Sequence, residues 1–383
     1  MPWKNGSVKG QRLELVRALL RGDERVAAIC ERFKVSRQTA SKYRRRWLQL
    51  GPAGLEDQSR RPHGSMALAE QWRRRLLRLR RDYPHWGARK LRWLLRQRFT
   101  GRRPAERTLQ RWLAAAGQVQ HRRARPRRVV FAKNVTATSA RRPNDVWTID
   151  LKGWFRTKAG QRVEPLTIRD LAARYLLWTR HLAPRDERQI KAVCTRLFER
   201  HGRPKVMRCD LGPPFFGRGP HGFSRLSLWW WRLGIQVEFV RRGAIHNNEH
   251  EQMHQVLSAE VPVAATLRAQ ARALERWRHE YNHDRPHDAL GLRPPATVYR
   301  SQPAPLPRLP LPKYPAGWMV RRVRRHGSIT IPGWTGTLGR AFAGLPVAFK
   351  PVSAHVYHLY FDSLLLGELD LKGARKLVLP RAP

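Results

Sequence analysis

Three acidic residues stand out in this sequence because their settings suit metal-dependent chemistry. Asp150 lies in the alternating stretch V-W-T-I-D-L-K-G, which predicts a β-strand. Asp210 ends a second strand-like run, K-V-M-R-C-D, where L-G-P-P-F turns the chain. Glu251 begins a helical run 41 positions later (251 minus 210). Oxygen ligands from these acids can hold two hard divalent cations, the arrangement that in-line phosphodiester chemistry uses.

Helix periodicity distinguishes Glu251 from its neighbour Glu249 as the third acid. The apolar face of this helix is predicted to contain Met253, Val256, Leu257 and Val261. Glu249 lies at the edge of that face, whereas Glu251 shares the opposite polar stripe with Asn248, Gln255 and Ser258. We therefore predict that the catalytic and metal-binding residues are Asp150, Asp210 and Glu251.

The same helix offers a rival interpretation as a zinc site. The segment His250–His254 reads H-E-Q-M-H, which matches the H-E-x-x-H motif of zinc proteases with Glu251 as general base. The metzincin continuation fails, because Leu257 stands at the glycine position and Glu260 at the third histidine position. A zinc metallohydrolase using His250, Glu251 and His254 is thus the less favoured alternative. In the favoured interpretation the two histidines pack beside Leu257 and Val261.

Net charge indicates the partner. The 383 residues include 77 Lys and Arg against 28 Asp and Glu, a formal charge of +49, which predicts binding to a polyanion such as DNA. A protease has no use for such a charge. The three cysteines form no C-x-x-C motif, and no apolar stretch is long enough to span a bilayer. We expect a cytoplasmic, nucleoid-associated bacterial protein without a membrane partner.

Composition and periodicity divide the chain into six predicted segments. These are a helix-turn-helix unit (1–55), a second helical DNA-binding unit (66–120), a basic linker (121–144), an α/β catalytic core (145–300), a Pro-rich linker (301–315) and a small all-β barrel (316–383). The run Trp229–Trp231 is predicted to belong to the core.

Each helical unit contains a helix suited to DNA contact. In the first, Ser36 is the predicted N-cap of a basic helix whose candidate DNA-binding residues are Arg37, Gln38, Thr39, Ser41 and Lys42. In the second, Pro104 is predicted at the first helical position and Gly117 at the C-terminal cap. The candidate DNA-binding residues of that helix are Arg107, Thr108 and Arg111.

Four sequence motifs together resemble those of the integrase-like transposases of bacterial insertion sequences, relatives of retroviral integrase. They are W-T-I-D-L-K-G, R-C-D-L-G-P-P-F, N-N-E-H-E-Q-M-H and Y-N-H-D-R-P-H-D-A-L-G-L-R-P-P-A-T-V-Y. The resemblance implies an RNase H-like core with an Asp-Asp-Glu triad at Asp150, Asp210 and Glu251. It also implies two Mg²⁺ or Mn²⁺ ions, which serve to join the terminal inverted repeats of an element to double-stranded target DNA. A homo-oligomeric synaptic complex is expected, because two DNA ends must be joined.

The chain departs from this family pattern near two of the acids. Leu211 replaces the Asn that usually follows the second Asp. Ahead of the Glu, Asn247 is kept, but Ala244 and Asn248 replace the Pro and Gly of Pro-x-x-Asn-Gly. Both changes lie beside the predicted site, so the sequence leaves open a second function, a DNA-binding regulator with a decayed catalytic core.

Overall fold

The computed structural model describes residues 7–57, 64–119, 137–182, 186–240, 248–373 and 377–378; the side chains of residues 64–67, 248 and 249 are outside this description. The chain divides into two compact units, Met1–Arg74 and Arg75–Pro383. Each unit is described by itself.

Three helices form the amino-terminal unit: α1 (Val8–Arg21), α2 (Val26–Arg32) and α3 (Arg37–Leu50), followed by a 3₁₀ turn at Gly51–Leu55. Their apolar faces meet in a small core around Leu15, Ile29 and Ala40. Ser36 accepts a hydrogen bond from the backbone of Thr39, which confirms it as the N-cap of α3. The helix-turn-helix pattern is therefore present, with α3 as its last helix.

A second set of helices comprises α4 (Gly64–Asp82), α5 (Ala88–Arg98) and α6 (Glu106–Ala115). Gly117 adopts φ 67° just after α6, the left-handed conformation that favours glycine at a helix end. The prediction for Pro104 is wrong, because Ala105 is the extended N-cap and α6 begins at Glu106. The Pro104 carbonyl instead accepts a hydrogen bond of 3.2 Å from Arg92 Nε.

A five-stranded mixed sheet forms the centre of the larger unit. Its strands are β1 (Val146–Leu151), β4 (Pro165–Asp170), β5 (Leu176–His181), β6 (Val206–Asp210) and β7 (Gln236–Val240), in the order β5-β4-β1-β6-β7. The strands β5, β4 and β1 are antiparallel neighbours, whereas β1, β6 and β7 run parallel. A short hairpin of β2 (Phe155–Arg156) and β3 (Arg162–Val163) lies between β1 and β4 in the sequence.

Helices cover both faces of this sheet. The side chains of Trp147, Ile149 and Met207 point to the face covered by α7 (Glu187–His201) and α8 (Arg225–Arg232). Trp230 is fully buried there, and Trp229 packs against the same core, as predicted for the Trp run. On the other face lie α9 (Asn248–Glu260) and α10 (Leu267–His283), and α11 (Pro295–Val298) follows them in the sequence. The α/β core predicted from the sequence is therefore present.

The proline-rich segment lies against the core and is not a free spacer. Residues 301–315 form no helix or strand, yet Leu306 and Leu309 pack on the core. Arg232 Nη2 donates to the carbonyls of Leu309 and Pro310 at 3.0 and 2.9 Å. Partly buried apolar side chains and these hydrogen bonds fix this segment in place.

The carboxy-terminal region is rich in strands, but it is not a barrel. Its strands are β8 (Met319–Arg322), β9 (Ser328–Ile331), β10 (Trp334–Thr337), β11 (Pro346–Pro351), β12 (Val356–Phe361), β13 (Leu364–Asp370) and β14 (Leu377–Val378). They form an open sheet, β14-β13-β12-β11-β8, and a separate β9-β10 hairpin. Closure requires the two edge strands to pair. In the described residues β8 and β14 do not pair, so the barrel prediction is wrong.

Candidate active site

Asp150 and Asp210 lie near the carboxyl ends of two neighbouring parallel strands. The register of β1 on β6 pairs Thr148 with Arg208, and Asp150 and Asp210 each lie two residues further along their strands. Burial first, and then the charges of Asp210 and Asp150, raise the pKa of the Cys209 thiol well above its usual value. Two of the three predicted acids therefore lie at the same edge of the sheet.

The loop after β6 orients the second carboxylate. The backbone N–H of Gly212 donates to Asp210 Oδ1 at 3.2 Å. A Cβ atom at Gly212 would lie 3.1 Å from Asp210 Oδ2, so the loop approaches the carboxylate closely. Leu211, which departs from the family pattern, leaves this contact in place.

Strand alternation directs Asp150 away from the hydrophobic core and toward α9. Ile149 is buried against α7 and α8, so Thr148 and Asp150 point to the opposite face. On β4, Thr167 is the direct partner of Asp150 in the sheet register. About a third of the Asp150 side chain (35%) is exposed, which leaves the carboxylate accessible to a ligand.

A chain of short polar contacts joins the sheet to α9 beneath Asp150. His250 Nδ1 lies 2.7 Å from Thr148 Oγ1, and His250 Nε2 lies 2.7 Å from Thr167 Oγ1. The same Thr167 oxygen lies 2.8 Å from His254 Nε2 and 3.1 Å from the Asp150 carbonyl. On the other side of its ring, His254 Nδ1 faces Asp150 Oδ2 at 3.8 Å. These contacts fix the orientation of both imidazole rings.

Burial keeps both imidazoles neutral. It lowers the pKa of His250 well below the usual value, with smaller contributions from His254 and Arg169. Burial, followed by the charges of Lys152 and Arg169, lowers the pKa of His254 to about 3. The pair of His254 and Asp150 is therefore not an ion pair at neutral pH. The predicted packing of the two histidines beside Leu257 and Val261 misses their main role, which is hydrogen bonding to the sheet.

The zinc-protease interpretation of this helix conflicts with the position of Thr167. In an H-E-x-x-H site both histidines direct a nitrogen to one metal ion at about 2.0–2.1 Å. Here the hydroxyl of Thr167 lies between the two Nε2 atoms at 2.7 and 2.8 Å. The oxygen of a sheet residue thus fills the position that zinc would need.

Glu251 lies on the exposed side of α9, in the stripe that also contains Gln255 and Ser258, as predicted. Met253 and Leu257 are buried on the opposite side. Within the described ranges, the residues whose ligand atoms all lie within 4.8 Å of one another are Asp150, His250 and His254. Glu251 and Asp210 do not join this group. Ala244 and Asn247 lie outside the described residues, as do the side chains of Glu249 and Asn248.

A buried ion pair fixes the carboxyl end of α9. Glu260 accepts hydrogen bonds from Arg285 Nη1 at 2.5 and 2.7 Å and from Trp277 Nε1 at 2.8 Å. The side chains of Glu260 and Arg285 are only 8% and 7% exposed. Contacts with Thr148 and Thr167 therefore hold one end of α9, and the ion pair of Glu260 and Arg285 holds the other.

The candidate DNA-binding side chains are accessible. On α3, Arg37, Gln38, Ser41 and Lys42 are exposed and Thr39 is half-buried. On α6, Arg107 and Arg111 are exposed, and Thr108 is half-buried. The buried side chains of these helices, Ala40 and Tyr43 on α3 and Leu109 and Leu113 on α6, lie on the opposite faces.

Four family profiles match the chain. A helix-turn-helix domain matches residues 11–63, and a homeodomain-like domain matches 39–113. An integrase core domain matches 233–295, a stretch that includes Glu251 but begins after both aspartates. The C-terminal domain of IS481 family transposases matches 318–376.

Two proteins of insertion elements are similar over much of the chain. The IS407 uncharacterized 31.7 kDa protein of Burkholderia multivorans is 25% identical over 71% of this chain and 93% of its own length. The IS476 uncharacterized 39.2 kDa protein of Xanthomonas euvesicatoria is 28% identical over 60% of this chain and 66% of its own length.

Retroviral integrases appear among similar solved structures. The catalytic core of HTLV-2 integrase in complex with magnesium is 11% identical, with a TM-score of 0.30 over 42% of this chain and 98% of that one. The intasome of simian T-cell lymphotropic virus, solved with a PP2A regulatory subunit, is 16% identical, with a TM-score of 0.35 over 80% of this chain and 100% of that one. These TM-scores are low, so the assignment depends on the sequence matches.

The helix-turn-helix and integrase core domains define a protein of the polynucleotidyl transferase superfamily. More narrowly, the chain contains the C-terminal domain of IS481 family transposases and is similar to proteins of bacterial insertion elements.

Proposed function

We propose that this protein cleaves the ends of an insertion element and joins them to target DNA by metal-dependent phosphoryl transfer. The observation that supports this most is the placement of Asp150 and Asp210 on neighbouring parallel strands, on the sheet face covered by the helix that bears Glu251. Paired carboxylates in an integrase core suit phosphodiester chemistry.

The donor set fits hard divalent cations. Carboxylate oxygens are the ligands that Mg²⁺ and Mn²⁺ prefer. Asp150 would contribute to both ion sites, Asp210 to one and Glu251 to the other. When bound, the ions would activate the attacking oxygen and stabilise charge on the attacking and leaving oxygens.

The residues of the site serve two successive in-line steps. In the first, a water oxygen attacks the phosphorus at the element end; the bond to the element strand breaks and leaves a free 3′-OH there. In the second, that 3′-OH attacks a phosphorus of target DNA and displaces a target 3′-OH. Asp150 and Asp210 would hold the ions that position the reacting phosphate, and the Gly212 amide keeps the Asp210 carboxylate oriented.

We infer that the helical units select the element ends. The segments 1–55 and 66–120 would bind the terminal inverted repeats through Arg37, Gln38, Thr39, Ser41, Lys42, Arg107, Thr108 and Arg111. The linkers 121–144 and 301–315 would flank the catalytic core, 145–300, and precede the strand-rich region, 316–383. Joining two ends requires a homo-oligomer on double-stranded DNA, so we expect the protein to act at the bacterial nucleoid.

The test is divalent-cation-dependent cleavage of DNA that contains the inverted repeats flanking this reading frame. Asp150→Asn should abolish cleavage but keep DNA affinity in a gel-shift assay, since it removes a metal ligand and none of the basic surface. Asp82→Asn is the matched control, because Asp82 is an exposed residue at the end of α4. Cleavage retained by Asp150→Asn would overturn the proposed site. DNA binding by the wild type without any cleavage would instead favour the regulator with a decayed core.

A further inference from the structure

His254 contributes a ring nitrogen to the candidate site that neither charge pairing nor hydrogen bonding uses. Its side chain is 12% exposed, and its Nδ1 atom faces Asp150 Oδ2 at 3.8 Å. That distance is too long for a hydrogen bond, which requires about 2.7–3.2 Å. Within the described ranges, His254 Nδ1 makes no hydrogen bond.

Hydrogen-bond accounting at Thr167 fixes the tautomer of His254. The hydroxyl has one proton and two acceptor lone pairs, and it contacts three groups. They are His250 Nε2, His254 Nε2 and the Asp150 carbonyl, at 2.7, 2.8 and 3.1 Å. All three contacts are hydrogen bonds only if the hydroxyl donates to the carbonyl and both Nε2–H groups donate to the hydroxyl. In that assignment His254 Nδ1 is an unprotonated nitrogen whose lone pair faces a carboxylate oxygen.

The lone pairs of His254 Nδ1 and Asp150 Oδ2 repel each other. A cation bound between the two atoms would accept both lone pairs and remove this repulsion. Cation-to-ligand bonds of about 2.1 Å span up to about 4.2 Å between two ligand atoms. The separation of 3.8 Å between His254 Nδ1 and Asp150 Oδ2 falls within that span. The contact from Nε2 to Thr167 acts as the outer partner that orients a metal-binding imidazole.

We propose that His254 Nδ1 is a nitrogen ligand of the divalent cation held by Asp150. This inference rests on the proposed function, because it adds one ligand to the acidic site. His250, in contrast, has contacts at both ring nitrogens, with Thr148 and Thr167, and so has no free nitrogen for the cation. Imidazole suits transition-metal ions better than Mg²⁺, so His254 favours Mn²⁺ over Mg²⁺ at this site.

The experiment measures Mn²⁺ binding to the full-length protein and pulsed electron paramagnetic resonance of the bound ion. We expect modulation from a directly bound ¹⁴N, which changes to a ¹⁵N pattern when only the histidines are ¹⁵N-labelled. This labelling step needs no variant and therefore does not depend on correct folding of a mutant.

Two matched variants then identify the histidine. His254→Gln should remove the nitrogen modulation and weaken Mn²⁺ binding by about tenfold or more, with a smaller effect on Mg²⁺. His250→Gln, one helical turn away on α9, should keep the modulation. Modulation that persists in His254→Gln, or that is lost only in His250→Gln, would overturn the proposal.

One further variant separates failure of this inference from failure of the proposed function. If Asp150→Asn abolishes Mn²⁺ binding but the wild type shows no nitrogen modulation, the acidic site stands and the role of His254 is wrong. If Mn²⁺ binding is unchanged in Asp150→Asn, the acidic site itself is wrong, and the role of His254 fails with it.

Discussion

Thr167 shows how one small side chain organises the candidate site. Its hydroxyl contacts His250, His254 and the backbone of Asp150, and it is fully buried. Buried polar groups must be hydrogen-bonded, because an unpaired one costs about 1–3 kcal/mol. The threonine thus connects the strand that bears one acid to the helix that bears another.

We predict that Thr167→Val destabilises the protein by about 1–3 kcal/mol, because it leaves buried imidazole nitrogens without an acceptor while keeping the side-chain shape. Urea unfolding of the larger unit, followed by tryptophan fluorescence, measures the change. Thr335→Val is the control, since that hydroxyl bonds Thr330 on an exposed strand pair. Equal stability of the two variants would show that the Thr167 contacts are unimportant.

The strands that bear Asp150 and Asp210 could be predicted from the sequence, but the surroundings of these acids could not. Asp150 and Asp210 end recognisable strand patterns, and parallel strands bring their carboxyl ends together. Alternation also predicts that Thr148 shares the face of Asp150. Thr167, however, reaches the site only through the antiparallel register of β4 on β1, a long-range pairing that no local pattern reveals.

At the scale of elements, α9 is the helix on which the proposed chemistry depends. It bears Glu251 on its exposed side, and the threonine contacts and the Glu260–Arg285 pair hold its two ends. Because that ion pair is buried, removing one partner leaves an uncompensated charge. The position of Glu251 therefore depends on contacts that its own side chain does not make.

Arg285→Leu should destabilise the larger unit by about 3–5 kcal/mol, because the Glu260 carboxylate then stays buried without its cation. The double variant Glu260→Leu with Arg285→Leu should recover much of that loss, which a double-mutant cycle measures. Arg89→Leu is the control: its partner Asp288 and Arg89 are both more than half exposed, so the loss should be within about 1 kcal/mol. Equal losses from Arg285→Leu and Arg89→Leu would contradict this explanation.

The exposed face of α3 gives a prediction about recognition. Combining Arg37→Ala with Gln38→Ala should reduce affinity for the inverted repeat by about 1–3 kcal/mol per lost base contact, and reduce affinity for scrambled DNA less. Arg17→Ala is the control, because Arg17 is an exposed arginine on α1. Titrations at one fixed salt concentration measure both affinities. An equal loss on both DNAs would reduce α3 to a phosphate-binding helix.

Helices and core strands were predictable because each has a clear period. The stretches V-W-T-I-D-L-K-G and K-V-M-R-C-D form β1 and β6, and the helical run predicted at Glu251 belongs to α9. The barrel was not predictable, since alternation identifies strands but says nothing about whether the edges pair. The edge strands β8 and β14 have only four and two residues, and the sheet stays open.

At the scale of the whole molecule, charge and architecture agree. A formal charge of +49 on 383 residues favours a polyanionic partner, and a helix-turn-helix domain lies in the same chain as an integrase core. No helix in the described part of the chain is long and apolar enough to cross a membrane. Both features agree with the proposed transposase function.

Strand transfer tests the central claim most directly. The substrate is a labelled duplex that ends in the inverted repeat with a free 3′-OH, mixed with supercoiled plasmid and Mg²⁺ or Mn²⁺. We predict that the wild type and Asp82→Asn join the label covalently to the plasmid, and that Asp210→Asn and Glu251→Gln give no joined product while still binding the duplex. Joined product from Asp210→Asn at the wild-type level, or from the wild type without a divalent cation, would contradict a carboxylate-bound metal site.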